Sequence, residues 1–427
     1  MKKLKLVMIG NGMAGVRTLE ELLKVSPELY DITVFGAEPH PNYNRILLSP
    51  VLAGEQGFDD IVLNDLAWYR EHNIRLMLKR KVVQIDRARR RVIAEDGSEA
   101  SYDRLLIATG SSPFVLPIPG NSLKGVIGYR DIADTQAMME TARVYKHAVV
   151  IGGGLLGLEA ANGLKARGMD VTVVHIADWL MDRQLDRTAS ELLQRSLEER
   201  GLRFLLSRQT SELLDNGDGR VGAVRFSNGE SIPADLVVMA VGIRPNAELA
   251  ERAGLPCNRG ILVNDTLQTY DPRIYAVGEC ASHRGTAYGL VAPLFEQARV
   301  CANHLAMLGF SRYIGSVTST KLKVTGIELF SAGDFIGGEG TETIKLCDPI
   351  SGIYKKLVIK DDVLVGACLY GDTRDSGWYF NQVREGRNVR AIRDLLMFGE
   401  EAVALQSRPY RTTRAKQPHP SFAAAGR

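Results

Sequence analysis

The sequence predicts an α/β fold that uses one strand–turn–helix unit twice and then adds a third, mixed α+β unit. Two observations predict the repeated part. The apolar run Leu6-Val7-Met8-Ile9 leads straight into Gly10-Asn11-Gly12-Met13-Ala14-Gly15, and about 140 residues later Ala148-Val149-Val150-Ile151 leads into Gly152-Gly153-Gly154-Leu155-Leu156-Gly157. In this pattern the first glycine makes the turn. The second lets the backbone approach a pyrophosphate, and the third lets the helix pack on the strand. Phosphates then meet free N–H groups and the positive end of the helix dipole. Each unit is therefore read as a Rossmann-like dinucleotide-binding domain. Two dinucleotides in one chain imply electron transfer between them.

The elements follow in order. Residues 4–9 read as a strand, 13–24 as a helix and 31–35 as a second strand, with Glu38 following at the distance expected of a carboxylate that binds a ribose hydroxyl. The run Asp103–Pro113 reads as a buried strand and a turn. Residues 155–167 and 170–175 repeat the helix and strand of the second unit. A later strand at 236–241 ends in Gly242, and Tyr275-Ala276-Val277-Gly278-Glu279-Cys280 returns the chain to the first unit. A helix over 294–308 comes next. After it, β-like runs (331–335, 354–359, 363–370) precede helices at 378–385 and 389–397. The expected boundaries are 1–113 with 241–316 for the first domain, 114–240 for the second, inserted in the first, and 317–405 for the C-terminal α+β domain. A disordered tail is expected over 406–427, which is rich in arginine and proline.

Composition removes several classes. The 427 residues are 45% hydrophobic and 24% charged, ordinary for a globular chain, and the net charge of +3 gives no argument for nucleic acid. The five cysteines, at 257, 280, 301, 347 and 368, have no C-x-x-C or cluster spacing, so neither a redox dithiol nor a metal or iron–sulfur site is expected. No apolar run approaches a membrane span, and a cytoplasmic location is expected.

The order of Gly10–Gly15, Ala108-Thr109-Gly110, Gly152–Gly157 with Glu159, Ala240-Val241-Gly242 and Ala276-Val277-Gly278-Glu279 resembles the two-dinucleotide flavoprotein reductases of the glutathione reductase fold. Three strings are similar to one branch, the N-terminal flavoprotein part of the NAD(P)H-dependent nitrite reductase large subunit. They are Pro41–Ser49, Met181–Asp186 and Ser319–Gly326. That family continues into cysteine-rich and sirohaem-binding parts, for which this sequence carries no ligands, so nitrite reduction by this polypeptide alone is not expected. The resemblance implies FAD at the first motif and NAD(P)H at the second.

It further implies roles for single residues. Gly10, Gly12, Met13, Ala14 and Gly15 would hold the FAD pyrophosphate. Glu38 would hold the ribose (or is a solvated loop carboxylate), and Arg45 lies in the flavin-contacting loop. Val82 and Val83 would lie at the adenine end, beside the basic stretch 79–91. That stretch reads as a charged hairpin more readily than as a docking face for an acidic carrier. Thr109, Gly110, Gly278 and Glu279 would cradle the flavin, Glu279 standing where relatives carry aspartate. Pro50 stands where ferredoxin reductases place a lysine.

Gly152, Gly154, Leu155, Gly157 and Gly242 would hold NAD(P)H, with Glu159 beside the nicotinamide as the catalytic candidate; its plain alternative is a helix-surface carboxylate. His175 stands where an acid would select NADH and an arginine NADPH. NADH is favoured, with NADPH use left open. Cys280 is read as core packing, and no cysteine precedes Cys257, which removes disulfide reduction. The expected activity is electron transfer from NADH through FAD to a separate redox-protein acceptor, either a nitrite reductase component or a small iron–sulfur or rubredoxin-like protein. An NADH oxidase and a non-enzymatic flavin redox sensor are the rivals. A homodimer is left open.

Overall fold

The structure, a computed structural model, describes residues 3–322 and 324–406; the expected tail beyond Gln406 lies outside the described residues. Two five-stranded parallel sheets dominate, and they share one plan. In the first the order is Ile274–Ala276, Arg104–Ile107, Leu4–Ile9, Tyr30–Phe35, Arg75–Met77. In the second it is Val126–Ile127, Leu236–Met239, His147–Ile151, Asp170–Val174, Arg203–Leu205. In both, the strand leading into the glycine motif is central. These strands are apolar throughout because a parallel sheet is buried on both faces, and Leu6, Val7 and Met8 are all 0–1% exposed.

The glycine helices begin where expected, at Met13–Val25 and Leu155–Ala166. Val16, Leu19 and Leu22 form the buried stripe of the first, which packs on the helix Val291–Leu305. That helix starts three residues earlier than the sequence suggests. Because Ile274–Ala276 pairs with Arg104–Ile107, the chain does return to the first sheet after building the second. Its two crossings, Ser111–Pro113 and Ile243–Pro245, run antiparallel as a short ribbon.

The C-terminal unit is a five-stranded antiparallel sheet in the order Ser319–Thr320, Leu329–Gly333, Val363–Tyr370, Ile353–Lys360, Glu342–Asp348, covered by the helix Ser376–Glu385. The edge strand Glu342–Asp348 was not expected from the sequence: it is almost wholly exposed and so shows no apolar alternation. The helix expected at 389–397 is a 3-10 helix over Arg390–Phe398. Ile392 N–H bonds to Val389 C=O at 3.0 Å, an i→i−3 closure, and the three-residue spacing of Val389, Ile392 and Leu395 suits three residues per turn.

One hydrophobic core joins all three units. It runs from Tyr43, Leu48 and Leu52 through Leu158 and Leu164 to Leu329, Tyr354 and Tyr370. The contact to the last unit is also polar: Tyr354 O–H donates to Asp186 at 2.6 Å, and Lys356 lies 3.3 Å from the same carboxylate. Among the described residues no helix is long and apolar enough to cross a membrane.

Candidate functional site

The glycines separate into two kinds at both motifs. A Cβ on Gly10 would lie 2.2 Å from the Ala108 carbonyl oxygen, and one on Gly152 would lie 2.3 Å from that of Ala240; both residues also have positive φ. Gly157 is blocked as firmly, 2.0 Å from Gly152 O, and Gly15 less so, 2.9 Å from the Ala108 Cβ and Met8 Sδ. Here the chain itself demands glycine. Gly12 and Gly154 differ, since a Cβ there meets nothing within 4 Å. Both are helix N-caps without a side-chain capping bond, and neither helix has an acid in its first turn. Open room, unsatisfied N–H groups and the helix dipole coincide at each turn, and this is what a pyrophosphate requires. On that observation the residues present fit a dinucleotide at both sites.

Around the first turn, Asn11, Gly12, Ala37, Glu38, His40, Tyr43 and Arg45 line a pocket. Glu38 accepts a hydrogen bond from Tyr43 O–H at 2.7 Å and pairs with Arg45, whose guanidinium lies 4.9 Å above the Tyr43 ring. Burial pushes the Tyr43 phenol well above its ordinary value, so it remains a donor. Glu38 and Arg45 therefore form one charged pair at the pocket, and neither is a solitary surface residue. Arg45 also donates to Arg130 C=O at 3.2 Å.

Arg130 in turn pairs with Glu279, which accepts from Ser111 Oγ at 2.8 Å. Gly110, at φ +65, has the Arg130 and Glu279 side chains as its nearest neighbours. Gly278 N–H donates to the buried Gln297 at 2.9 Å, and a Cβ on it would meet that of Ala14 at 3.0 Å. Thr109 spends its hydroxyl on Asn246 C=O at 2.7 Å, stitching the two chain crossings together. Val82 is buried in the core beside Ile9 and Phe35. Val83 is half-exposed and sits where the ladder shifts register.

At the second turn, Glu159 is 6% exposed, which overturns the alternative of a helix-surface carboxylate. It accepts from Ser49 Oγ at 2.7 Å, and Ser49 in turn receives Tyr129 O–H at 3.3 Å. This contact brings the short helix Leu48–Ala53 of the first unit against the nucleotide helix of the second. His175 follows the strand Asp170–Val174; Gly242, at φ +122, has open space over its Cα.

Four arginines of the basic stretch are paired: Arg80 with Asp96, Arg87 with Asp271, Arg89 with Asp86 and Arg91 with Glu99. Burial pushes the Cys280 thiol up, in keeping with a packing role. No group of three or more His, Cys, Asp or Glu side chains suited to a metal occurs among the described residues.

Sequence reasoning passed over Arg130, Ser111, Ser49, Tyr129 and Asn246. Ser49 closes the string Pro41–Ser49, the others lie outside the glycine motifs, and each acts across a long stretch of chain: the Ser49–Glu159 and Arg130–Glu279 pairs are 110 and 149 residues apart.

Matched parallel sheets, each with an open glycine turn, define a two-dinucleotide oxidoreductase. The chain belongs to the pyridine nucleotide-disulphide oxidoreductase family, whose family model matches residues 4–304. Residues 319–387 match the rubredoxin NAD+ reductase C-terminal domain. The chain is similar to a nitrite reductase [NAD(P)H] of Bacillus subtilis (strain 168), with 54% identity over 389 residues, 91% of this chain and 48% of that one. It is also similar to the assimilatory nitrate reductase electron transfer subunit of the same organism, with 50% identity covering 91% of this chain and 50% of that one. The chain thus spans about half the length of these curated relatives. Among solved structures, the ferredoxin reductase for the CYP199A2 system from Rhodopseudomonas palustris superposes with a TM-score of 0.80 at 27% identity, covering 88% of this chain and 93% of that one.

Proposed function

We propose that this chain oxidises NADH and passes the electrons through FAD to a separate redox protein. The observation that carries this reading is the pair of open glycine turns, one on each of two matched sheets, joined by the Ser49–Glu159 contact. When bound, FAD supplies the step from a two-electron donor to one-electron acceptors.

The chain's own residues bind and orient. Gly10, Gly12, Met13, Ala14 and Gly15 hold the FAD pyrophosphate, Glu38 and Arg45 its adenosine side, and Val82 and Val83 the adenine end. Thr109, Gly110, Gly278 and Glu279 form the flavin cradle, with Arg130 neutralising the part-buried Glu279. Gly152, Gly154, Leu155, Gly157, His175 and Gly242 hold the nicotinamide nucleotide. Glu159, fixed by Ser49, orients it where the two units meet. The division into 1–113 with 241–316, 114–240 and 317–405 follows these roles.

The acceptor is a nitrite reductase component or a small iron–sulfur or rubredoxin-like protein. Three likenesses support this: the electron transfer subunit, the rubredoxin reductase C-terminal domain and the ferredoxin reductase. No cysteine precedes Cys257, so the first domain's glycine-motif half offers the flavin no disulfide to reduce. The test is steady-state NADH oxidation by purified, FAD-loaded protein with ferricyanide, oxygen or a small iron–sulfur protein. Fast turnover with the first and third is expected. Oxygen as the preferred acceptor makes the chain an NADH oxidase instead; loss of turnover with all three sinks the reading.

A further inference from the structure

His175 stands where a carboxylate would receive the ribose 2′-hydroxyl, and the structure replaces that carboxylate from further along the chain. The Gly153 N–H donates to His175 Nδ1 at 3.1 Å, and His175 Nε2 lies 3.1 Å from Asp182 Oδ1. An N–H aimed at Nδ1 requires a lone pair there, so the proton sits on Nε2 and points at Asp182. The ring is pressed on the glycine turn: a Cβ on Gly153 would lie 2.9 Å from His175 Cγ and 2.7 Å from a Leu180 methyl.

The chain is brought back to this corner by a short turn. Met181, at φ 51, gives its N–H to Gly153 C=O at 2.9 Å, and Met181 C=O accepts from Gln184 and Leu185. Gly153 is thus bonded to both His175 and Met181, and Asp182 is carried to the end of the strand by geometry alone.

Two of the cations nearby are occupied. Arg187 pairs with Asp178 and lies 4.8 Å over the Trp179 ring. Arg208, whose N–H donates to His175 C=O, has its side chain 3.6 Å from Glu230. Arg183 is exposed. A 2′-phosphate arriving at this corner meets the Asp182 carboxylate, while the Arg187 and Arg208 guanidiniums already have acid partners; like charges placed together discriminate against the wrong ligand.

We infer that Asp182, held in place by His175, is the residue that selects NADH over NADPH in this chain. It takes the part of the acid missing from the strand end. The inference rests on the proposed nucleotide role of the second glycine turn, and the experiment separates the two. Binding of NAD+ and NADP+ to the FAD-loaded protein is measured by calorimetry for wild type, Asp182→Asn and Asp182→Glu. Wild type is expected to favour NAD+. Asp182→Asn is expected to shift the NAD+/NADP+ affinity ratio toward NADP+ by about tenfold, mostly by tightening NADP+. Asp182→Glu, which keeps the charge, is expected to stay near the wild-type ratio.

A purely structural role for Asp182 predicts instead that Asn weakens both nucleotides equally, and that result overturns the inference while leaving the site intact. A ratio unchanged in Asp182→Asn overturns it as well. Binding of neither nucleotide to wild type removes the site and the inference together. Melting temperatures of the three proteins, read without nucleotide, report whether the Asn variant has kept its fold.

Discussion

The two nucleotide corners share a backbone and differ in what surrounds it. At the first, Glu38, Tyr43 and Arg45 wall the pocket, and Arg130 with Glu279 adds a second charged pair linked to the first through the Arg130 carbonyl. At the second, a single neutral imidazole and one carboxylate mark the strand end. The lesson concerns residence. A corner with linked, partly buried ion pairs would suit a cofactor that stays bound, because many preorganised groups lower the cost of ordering a ligand. A sparse corner suits a nucleotide that must leave after each turnover. The open middle glycine is common to both and says only that a phosphate fits.

The largest effect that tests this contrast comes from the middle glycines. Gly12→Val and Gly154→Val both place side chains in open space, so both proteins should fold, with about 1 kcal/mol lost at each helix cap. Gly12→Val should purify without flavin absorbance. Gly154→Val should keep one FAD per chain yet show no bleaching with anaerobic NADH. Equal flavin loss in both would erase the distinction between resident and exchanging sites.

Next comes Arg130→Met, which leaves the part-buried Glu279 carboxylate without its cation. Removing one partner of such a pair costs about 2–5 kcal/mol, so FAD should rebind the apoprotein at least tenfold more weakly. A dissociation constant equal to that of wild type would mean that Glu279 stands away from the cofactor.

Gly163→Ala probes the seam between the corners. Its Cβ would lie 2.7 Å from Leu52 Cγ, where the helix Leu48–Ala53 packs on the second nucleotide helix. Overpacking of this kind costs about 1–3 kcal/mol, against about 1 kcal/mol gained from helix propensity. Urea unfolding should show net destabilisation, with less effective flavin reduction by NADH. A more stable variant would show that the seam yields.

Tyr43→Phe should give the smallest change, about 1 kcal/mol of FAD affinity, for the loss of one hydrogen bond to Glu38. The pH behaviour follows from the raised phenol. Its folded value exceeds the unfolded one, so its contribution is complete below the ordinary tyrosine value of about 10 and is lost only as pH rises beyond that. Flavin content of wild type should therefore be flat from about pH 7 to 10, as read by absorbance after gel filtration. A decline within that range would place the phenol in water.

Both glycine turns, the strands before them and the positions of Glu38, Glu159 and His175 were legible because each depends on neighbours a few residues away. Even there the chemistry was incomplete. Nothing near His175 in the sequence says that Asp182 turns back to it, since that depends on Met181 at positive φ and on its bond to Gly153. Nothing near Glu159 says that it is buried, because its partner Ser49 comes from a helix of the other unit. The exposed edge strand Glu342–Asp348 gave no apolar signal for the opposite reason, as it buries almost nothing.

By itself the sequence determined the repeated strand–turn–helix unit. Glycine spacing and apolar runs are local constraints: Gly10 and Gly152 take the positive φ that the tight turn after each strand requires. The tertiary structure decided which side chains complete each corner. Arg130 reaches Glu279 across 149 residues, and Ser49 reaches Glu159 across 110. Such pairings are set by how the two sheets and the shared core bring distant segments together. A buried carboxylate must find a donor or cation wherever the fold supplies one.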